Sequence, residues 1–393
     1  MLNLRADALD PIMKQIFSGN TVENETVMFI DKTDVKTLLF DIEKVVKVTS
    51  YDGKTVFTEG VDYTVESGKL KLTENSSIPC ITSEKYYHGK ASSPLITKYK
   101  GKNVHTLYGE GKAMTDWQIN VTYTHNSSWE GFLQECKSQT YQNLINKFKN
   151  GEDVSIFFYG DSITYGANSS YISDYAPYQH SFPLLFTQAL ADLFEYTVVY
   201  KPISKTADNG NRTARTPLVK YEAGQRGTIT YTNTAIGGWT SSDGLKNIDD
   251  FVTRYSKNFG CDLFVLGFGM NDGSYSPDKT ANNIKEMADA VLKVNPEASI
   301  LIISTMLPNP NAVNGWYGNQ YKQEAALMQL ADEYKENGIP CEVAQMTSTS
   351  ASILNRKDFN DYSGNNINHP NDFFSRVYAQ CLLQTVIGYG NIK

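Results

Sequence analysis

The sequence predicts a doubly wound α/β domain preceded by an all-β domain, and three observations predict it. First, the runs VSIFFY from Val154, LFVLGF from Leu263 and SILIISTM from Ser299 are nearly continuous in apolar residues. Such runs suit strands buried on both faces of a parallel sheet. Second, helical patterns at about Ser181 to Glu195, Pro277 to Val294 and Gln320 to Asn337 lie between apolar runs. That alternation is the rhythm of strand–helix crossovers. Third, the texture before about residue 130 is different: short β-rich runs punctuated by Gly53, Gly60 and Gly68. Short strands at such spacing suggest a sandwich or jelly roll.

The β-rich runs are Val27 to Ile30, Lys44 to Val48, Thr55 to Phe57, Tyr63 to Val65, Leu70 to Leu72 and Gln118 to Tyr123. The last alternates apolar and polar residues with the period of a half-buried strand. They define a jelly-roll-like β-sandwich over residues 1–130. A helical linker follows over 131–152, where a helix from Ser138 to Asn150 stops at Gly151. The α/β domain occupies 153–393, with further strands at Thr228 to Ile236 and Cys341 to Met346 and a closing helix from Asn371 to Ile387. Pro202 to Gly227 is polar and rich in Gly, Asn, Thr and Arg. It reads as an insertion at the rim of the site.

Composition excludes several classes. The 393 residues are 40% hydrophobic, enough for a sizeable core and against a disordered or fibrous chain. With 36 Lys+Arg against 43 Asp+Glu the net charge is −7, which argues against a nucleic-acid partner. No apolar run approaches the roughly 18 residues of a membrane span, so no membrane partner is expected. The N-terminus carries early charge and no apolar leader core. A cytoplasmic location is the expectation, or secretion if a leader once preceded it. The five cysteines are odd in number and form no CxxC pair. They fit neither a disulfide framework nor a zinc site. Cys261 and Cys341 adjoin apolar runs and read as buried thiols. HExxH, GxxxxGK[ST] and a helix-opening GxGxxG are all missing, so neither metal nor cofactor is expected. Composition leaves the oligomeric state open.

Parallel sheets place ligands at the carboxyl ends of their strands. There VSIFFY runs into Gly160-Asp161-Ser162-Ile163-Thr164. A serine at such a strand-to-helix turn can act as a nucleophile, and its own N–H can hold an oxyanion. The same tripeptide also serves as an ordinary turn. The next strand ends in Gly237-Gly238-Trp239, where a glycine lets backbone approach a ligand. The third ends in Gly269-Met270-Asn271-Asp272, whose asparagine can donate an amide to developing charge. Asn366-Ile367-Asn368-His369-Pro370 stands directly before the closing helix. His369 can accept a proton near neutral pH. The other histidines, His88, His105, His125 and His180, read as β-domain or loop residues.

In this order, GDS, GG, GxND and a late HP, the blocks resemble the SGNH (GDSL) hydrolase family from about Val154 to the C-terminus. The resemblance implies a three-layer α/β fold with Ser162 as nucleophile and His369 as general base. It implies an oxyanion hole from the N–H of Ser162, the N–H of Gly238 (Gly237 in the alternative register) and the amide of Asn271. Most members carry an Asp three residues before the histidine; here that position is Asn366. Asn366 itself, another acid such as Asp361 or Asp358, or a backbone carbonyl in a Ser–His dyad are the alternatives for orienting His369. Asp161 is assigned to supporting the turn.

A β-sandwich ahead of an SGNH domain is similar in layout to carbohydrate esterase family 2, which deacetylates plant polysaccharides and often relies on a dyad. Tyr165, Trp239, Trp316 and Tyr317 fall in loops at the active face. They are candidate sugar contacts as well as ordinary packing residues. The expected function is therefore a serine esterase removing O-acetyl groups from an acetylated oligo- or polysaccharide, as an acetyl xylan esterase does. The alternatives are a broader-scope lipase or thioesterase, and a non-catalytic carbohydrate-binding relative. The catalytic assignment requires Ser162 Oγ and a His369 ring nitrogen within hydrogen-bond reach.

Overall fold

The computed structural model describes residues 4–88, 104–201, 220–312 and 318–392. In the N-terminal part, strands β1 (Thr21–Ile30), β2 (Val35–Lys36), β3 (Lys44–Ser50), β4 (Val56–Phe57), β5 (Tyr63–Glu66), β6 (Lys69–Leu72), β7 (Cys80–Ile81) and β8 (Gln118–Thr124) form two sheets. Their orders are β4-β3-β8-β1-β7 and β2-β6-β5. The pairings are antiparallel except β1 with β7. Both sheets turn apolar side chains into one cluster that includes Val27, Phe29, Val48, Leu70, Leu72, Ile119 and Val121. Between β7 and β8 lie the short helices α1 (Ser83–His88) and α2 (Lys112–Thr115). Helix α3 (Gln142–Asn150) buries Leu144, Ile145 and Phe148 and ends at a left-handed Gly151. The expected linker helix is thus packed against the core.

The C-terminal part alternates strand and helix. Its elements are β9 (Val154–Gly160), α4 (Ser162–Tyr165), α5 (Phe182–Phe194), β10 (Thr197–Tyr200), β11 (Lys220–Glu222) and β12 (Thr228–Asn233). Helices α6 (Ser241–Ile248) and α7 (Arg254–Phe259), joined by a π turn, lead to β13 (Leu263–Gly267) and α8 (Pro277–Val294). Then come β14 (Ser299–Ile303), α9 (Gln320–Glu336), β15 (Cys341–Ala344), α10 (Met346–Leu354), α11 (Phe359–Tyr362) and α12 (Asp372–Val386).

These strands form one sheet in the order β11-β10-β12-β9-β13-β14-β15. It is parallel apart from β11, which runs against β10. All seven residues of β9 are buried, as its apolar run requires. One face packs in the cluster of Phe158, Phe186, Val265, Phe374 and Leu382. The other packs in the cluster of Phe157, Phe264, Met287, Ile300 and Leu330. This is a three-layer doubly wound sheet. The chain leaves β9 toward β12 on one side and returns to β13 on the other, so the switch point lies at the carboxyl end of β9.

Several expected strands are shorter in the structure. Thr228 to Ile236 ends at Asn233, because Thr234 and Ile236 turn to bond Phe158 O and Gly160 O. Ser299 to Met306 ends at Ile303, and Cys341 to Met346 at Ala344, where α10 begins. Of the expected insertion, residues 202–219 lie outside the described residues, and Lys220–Glu222 forms the edge strand β11. Cys261, Cys341 and Cys381 are buried, and all five cysteines are free thiols. Among the described residues no helix is long and apolar enough to cross a membrane.

The two parts share one apolar cluster running from Val27 and Phe29 to Phe373 and Val377. Polar bonds cross the same junction. Gln118 Nε2 donates to the carbonyls of Asn360 (2.7 Å) and Ser363 (2.9 Å). Thr26 Oγ1 donates to Asp361 O at 2.6 Å, and Met28 N to Asp361 Oδ1 at 2.8 Å. The β strands therefore hold the loop that leads to His369.

Candidate active site

The site begins with a glycine that cannot be enlarged. A Cβ on Gly160 would stand 2.4 Å from Gly267 O and 2.3 Å from Thr164 Oγ1. Only glycine lets the ends of β9 and β13 approach this closely. Asp161 then caps α4, its carboxylate accepting from Ile163 N at 3.0 Å. Burial pushes the Asp161 carboxyl up to about 7, although the Ile163 N–H and the nearby His369 favour its charged form. Ser162 follows as the first residue of α4 and is buried.

Ser162 Oγ lies 2.9 Å from His369 Nε2. The two residues are 207 positions apart, yet the fold brings them into hydrogen-bond contact. His369 is delivered by a tightly bonded loop. Asn365 Oδ1 accepts from the backbone N–H groups of Ile367, Asn368 and His369, each at 3.0 Å. Ser363 Oγ donates to His369 O at 2.9 Å. Asn371 Oδ1 accepts from Phe374 N and opens α12 just beyond.

The other ring nitrogen, Nδ1, faces Asn168 Oδ1 at 2.8 Å and Glu110 Oε2 at 3.3 Å. Asn365 Nδ2 is 3.0 Å away, but it also reaches Glu110 Oε1 (3.1 Å) and Asn368 Oδ1 (3.0 Å). Those two acceptors take its two hydrogens. Asn168 Nδ2 donates to Gly364 O, which leaves its oxygen to the ring. Nδ1 therefore carries the proton, and Nε2 is free to accept from Ser162 Oγ–H. Burial opposes ionisation of Glu110, but its bonds to His369 and the attraction of that ring hold it down to about 2.

Asn366 and Asp361 are not among these ring partners. Asn366 is buried with φ +65°, and its Nδ2 reaches Tyr86 OH (2.9 Å), Thr106 Oγ1 (3.1 Å) and Leu107 O (2.8 Å). Its backbone carbonyl accepts from Asn309 Nδ2 at 2.8 Å. Asp361 is spent at the junction, on Met28 N and on Lys36 Nζ at 3.1 Å. Asp358 pairs with the same lysine at 2.8 Å. Both acids are engaged by the N-terminal strands because their loop lies against β1.

Gly238 stands at the end of the second block with φ +83°, and a Cβ there would meet nothing within 4 Å. Backbone conformation, not crowding, selects the glycine. Gly238 is exposed while Gly237 is buried. Among the described residues, neither the Ser162 nor the Gly238 N–H has a hydrogen-bond acceptor. Asn271 Nδ2 donates to Trp239 O at 2.9 Å, which orients the amide and leaves its second N–H. Asp272 ties the two blocks together, accepting from Ser241 N (2.9 Å) and Thr280 Oγ1 (3.1 Å).

Of the aromatic candidates, Trp239 packs edge-on against Tyr159 and Phe251, with ring centroids 6.3 and 5.0 Å away, and is half-buried. Its carbonyl accepts from Asn271 Nδ2. Tyr165 is half-buried at the end of α4. Trp316 and Tyr317 lie outside the described residues. Among the described residues no group of three His, Cys, Asp or Glu side chains is placed to hold a metal.

The family model for the GDSL-like lipase/acylhydrolase family matches residues 158–374, more than half of the chain and inclusive of every block described above. The chain belongs to that family. Solved structures show similar folds at low identity. A two-domain esterase (CEX) active on acetylated mannans aligns with a TM-score of 0.41 at 15% identity, over 63% of this chain and 53% of that one. This chain thus spans about half the length of that protein. The acetyl xylan esterase AlAXEase gives 0.39 at 16% identity, over 60% of this chain and 100% of that one. A carbohydrate esterase family 3 protein from Talaromyces cellulolyticus gives 0.39 at 16%, over 59% and 97%. Curated proteins give no match.

Proposed function

We propose that the protein is a serine esterase that removes short acyl groups, acetyl foremost, from hydroxylated substrates such as carbohydrates. The observation that carries the reading is the 2.9 Å contact between Ser162 Oγ and His369 Nε2 at the switch point of the sheet. Ser162 Oγ attacks the ester carbonyl as its proton passes to His369 Nε2. The resulting oxyanion accepts from the N–H groups of Ser162 and Gly238 and from the free N–H of Asn271. Collapse expels the alcohol, which leaves with the proton from His369 and deposits the acyl group on Ser162. Water, deprotonated by the same nitrogen, then releases the acid and restores the serine.

The choice of substrate rests on the walls of the site. Amide and carboxylate groups of Asn168, Asn365 and Glu110 meet the ring of His369, and Asn368 bonds Asn365 beside them. Such a surround suits a polyhydroxylated alcohol, whereas a long acyl chain calls for an aliphatic cleft. The test compares p-nitrophenyl acetate, p-nitrophenyl octanoate and acetylated xylooligosaccharides, with the parent set against Ser162→Ala. Hydrolysis that prefers acetyl over octanoyl and falls to background in the variant is expected. Parent activity equal to that of Ser162→Ala would overturn the serine mechanism. Octanoate cleaved faster than acetate would overturn the short-acyl reading.

A further inference from the structure

The family's usual acid position holds an asparagine, and that asparagine points away from the histidine toward the N-terminal part. Asn366 Nδ2 reaches Thr106 Oγ1 and Leu107 O, and Leu107 N donates back to Tyr86 O at 2.6 Å. The segment pinned in this way runs on through Tyr108 and Gly109 to Glu110. Tyr108 OH donates to Glu110 Oε1 at 3.2 Å, and Asn365 Nδ2 to the same oxygen at 3.1 Å. Glu110 Oε2 then meets His369 Nδ1, 259 positions away in sequence.

We propose that Glu110, carried on the N-terminal strap 104–111, is the positioning acid of this site and that Asn366 has become the anchor of that strap. The usual arrangement is turned inside out. The residue that would hold the ring holds the strap, and the strap returns the carboxylate. The N-terminal part is then a component of the catalytic unit, not an appended module. This inference rests on the Ser162–His369 reading above. Glu110 is half open to solvent, with its side chain 53% exposed. Screening therefore limits the pair, and Asn168 shares the Nδ1 proton. A moderate effect follows, short of the ~10⁴-fold loss seen when a buried triad aspartate is neutralised.

The test measures kcat and KM separately on p-nitrophenyl acetate and, in parallel, the rate of covalent labelling by an organofluorophosphonate. The labelling reagent reads activation of the serine whatever the natural ester. Glu110→Gln is expected to lower both rates by about ten- to a hundredfold. The loss should fall on kcat with KM nearly unchanged, because the ring acts only once the ester is bound. Glu110→Asp, one methylene shorter, should recover part of the rate. Asn366→Asp should not rescue Glu110→Gln and should itself lose about tenfold, since a carboxylate has no N–H to give Leu107 O. Parent labelling with Glu110→Gln unchanged, a loss confined to KM, or Asn366→Asp matching the parent would each overturn the inference. A parent that neither labels nor hydrolyses would overturn the Ser162–His369 reading on which it stands.

Discussion

At the scale of single residues, the site is built mostly from side-chain amides. Asn365 shapes the backbone of the His369 loop, Asn168 accepts from the ring, and Asn271 is aimed by the carbonyl of Trp239. An amide can donate and accept at once, so each can bond the scaffold with one end and the reaction with the other. For Asn271 this gives a sharp expectation. On the proposed mechanism its second N–H finds a strong acceptor only when the carbonyl oxygen becomes an oxyanion, and would then stabilise the transition state more than the bound ester. Asn271→Ala should lower kcat by about 10²–10³ with KM nearly unchanged. Steady-state kinetics on p-nitrophenyl acetate decide it. A loss confined to KM would show that the amide binds substrate instead. The pairing of Ser162 with His369 was legible because GDS follows a buried strand and the HP pair stands directly before the closing helix. Glu110 and Asn168 were not. Asn168 follows Ser162 within the same loop but carries no pattern, and Glu110 meets the ring only through a contact spanning most of the chain.

At the scale of elements, legibility followed burial. The runs that became β9, β13 and β14 are nearly continuous in apolar residues because both faces of each are covered. Helix α10 was missed because MTSTSASIL has poor helix formers. Tertiary bonds hold it instead, among them Thr347 Oγ1 to Thr305 O at 2.7 Å and Leu307 N to Ser350 Oγ at 2.9 Å. The turn from β9 to α4 carries a consequence for stability. Asp161 is pushed by burial up to about 7 from an ordinary 3.8. Between those values the unfolded chain releases this proton while the folded chain keeps it. The folded state binds more protons there, so this group's contribution to stability falls as pH rises through that window. Asp161→Asn, neutral at every pH, removes that dependence. Thermal melts from pH 4 to pH 8 should show the parent losing more Tm across the window than the variant. Parallel curves for the two proteins would refute a protonated Asp161.

At the scale of the whole molecule, the N-terminal sheets and the α/β sheet are joined by charge as well as by a common core. Glu25 in β1 and Lys357, which follows α10, form an ion pair with both side chains fully buried. Glu25 also accepts from Leu39 N (2.9 Å) and Tyr123 OH (2.7 Å), and Lys357 donates to Thr26 O (2.9 Å). Each charge thus has hydrogen-bond partners beyond the pair itself, the condition under which a buried pair is tolerated. Removing one partner strands the other. Lys357→Met leaves a buried carboxylate facing an apolar side chain and should cost about 3–5 kcal/mol, whereas the double variant Glu25→Gln/Lys357→Met should regain much of that loss. The core is continuous across the junction and the strap 104–111 is gripped from the α/β side. The parent should therefore unfold in one calorimetric transition, and Lys357→Met should move that transition downward as a unit. Two separable transitions, with only the first displaced by the substitution, would mean that the β part folds as an independent bead. His369 would then be positioned without it, in conflict with the bonds from Thr26 and Gln118 to its loop.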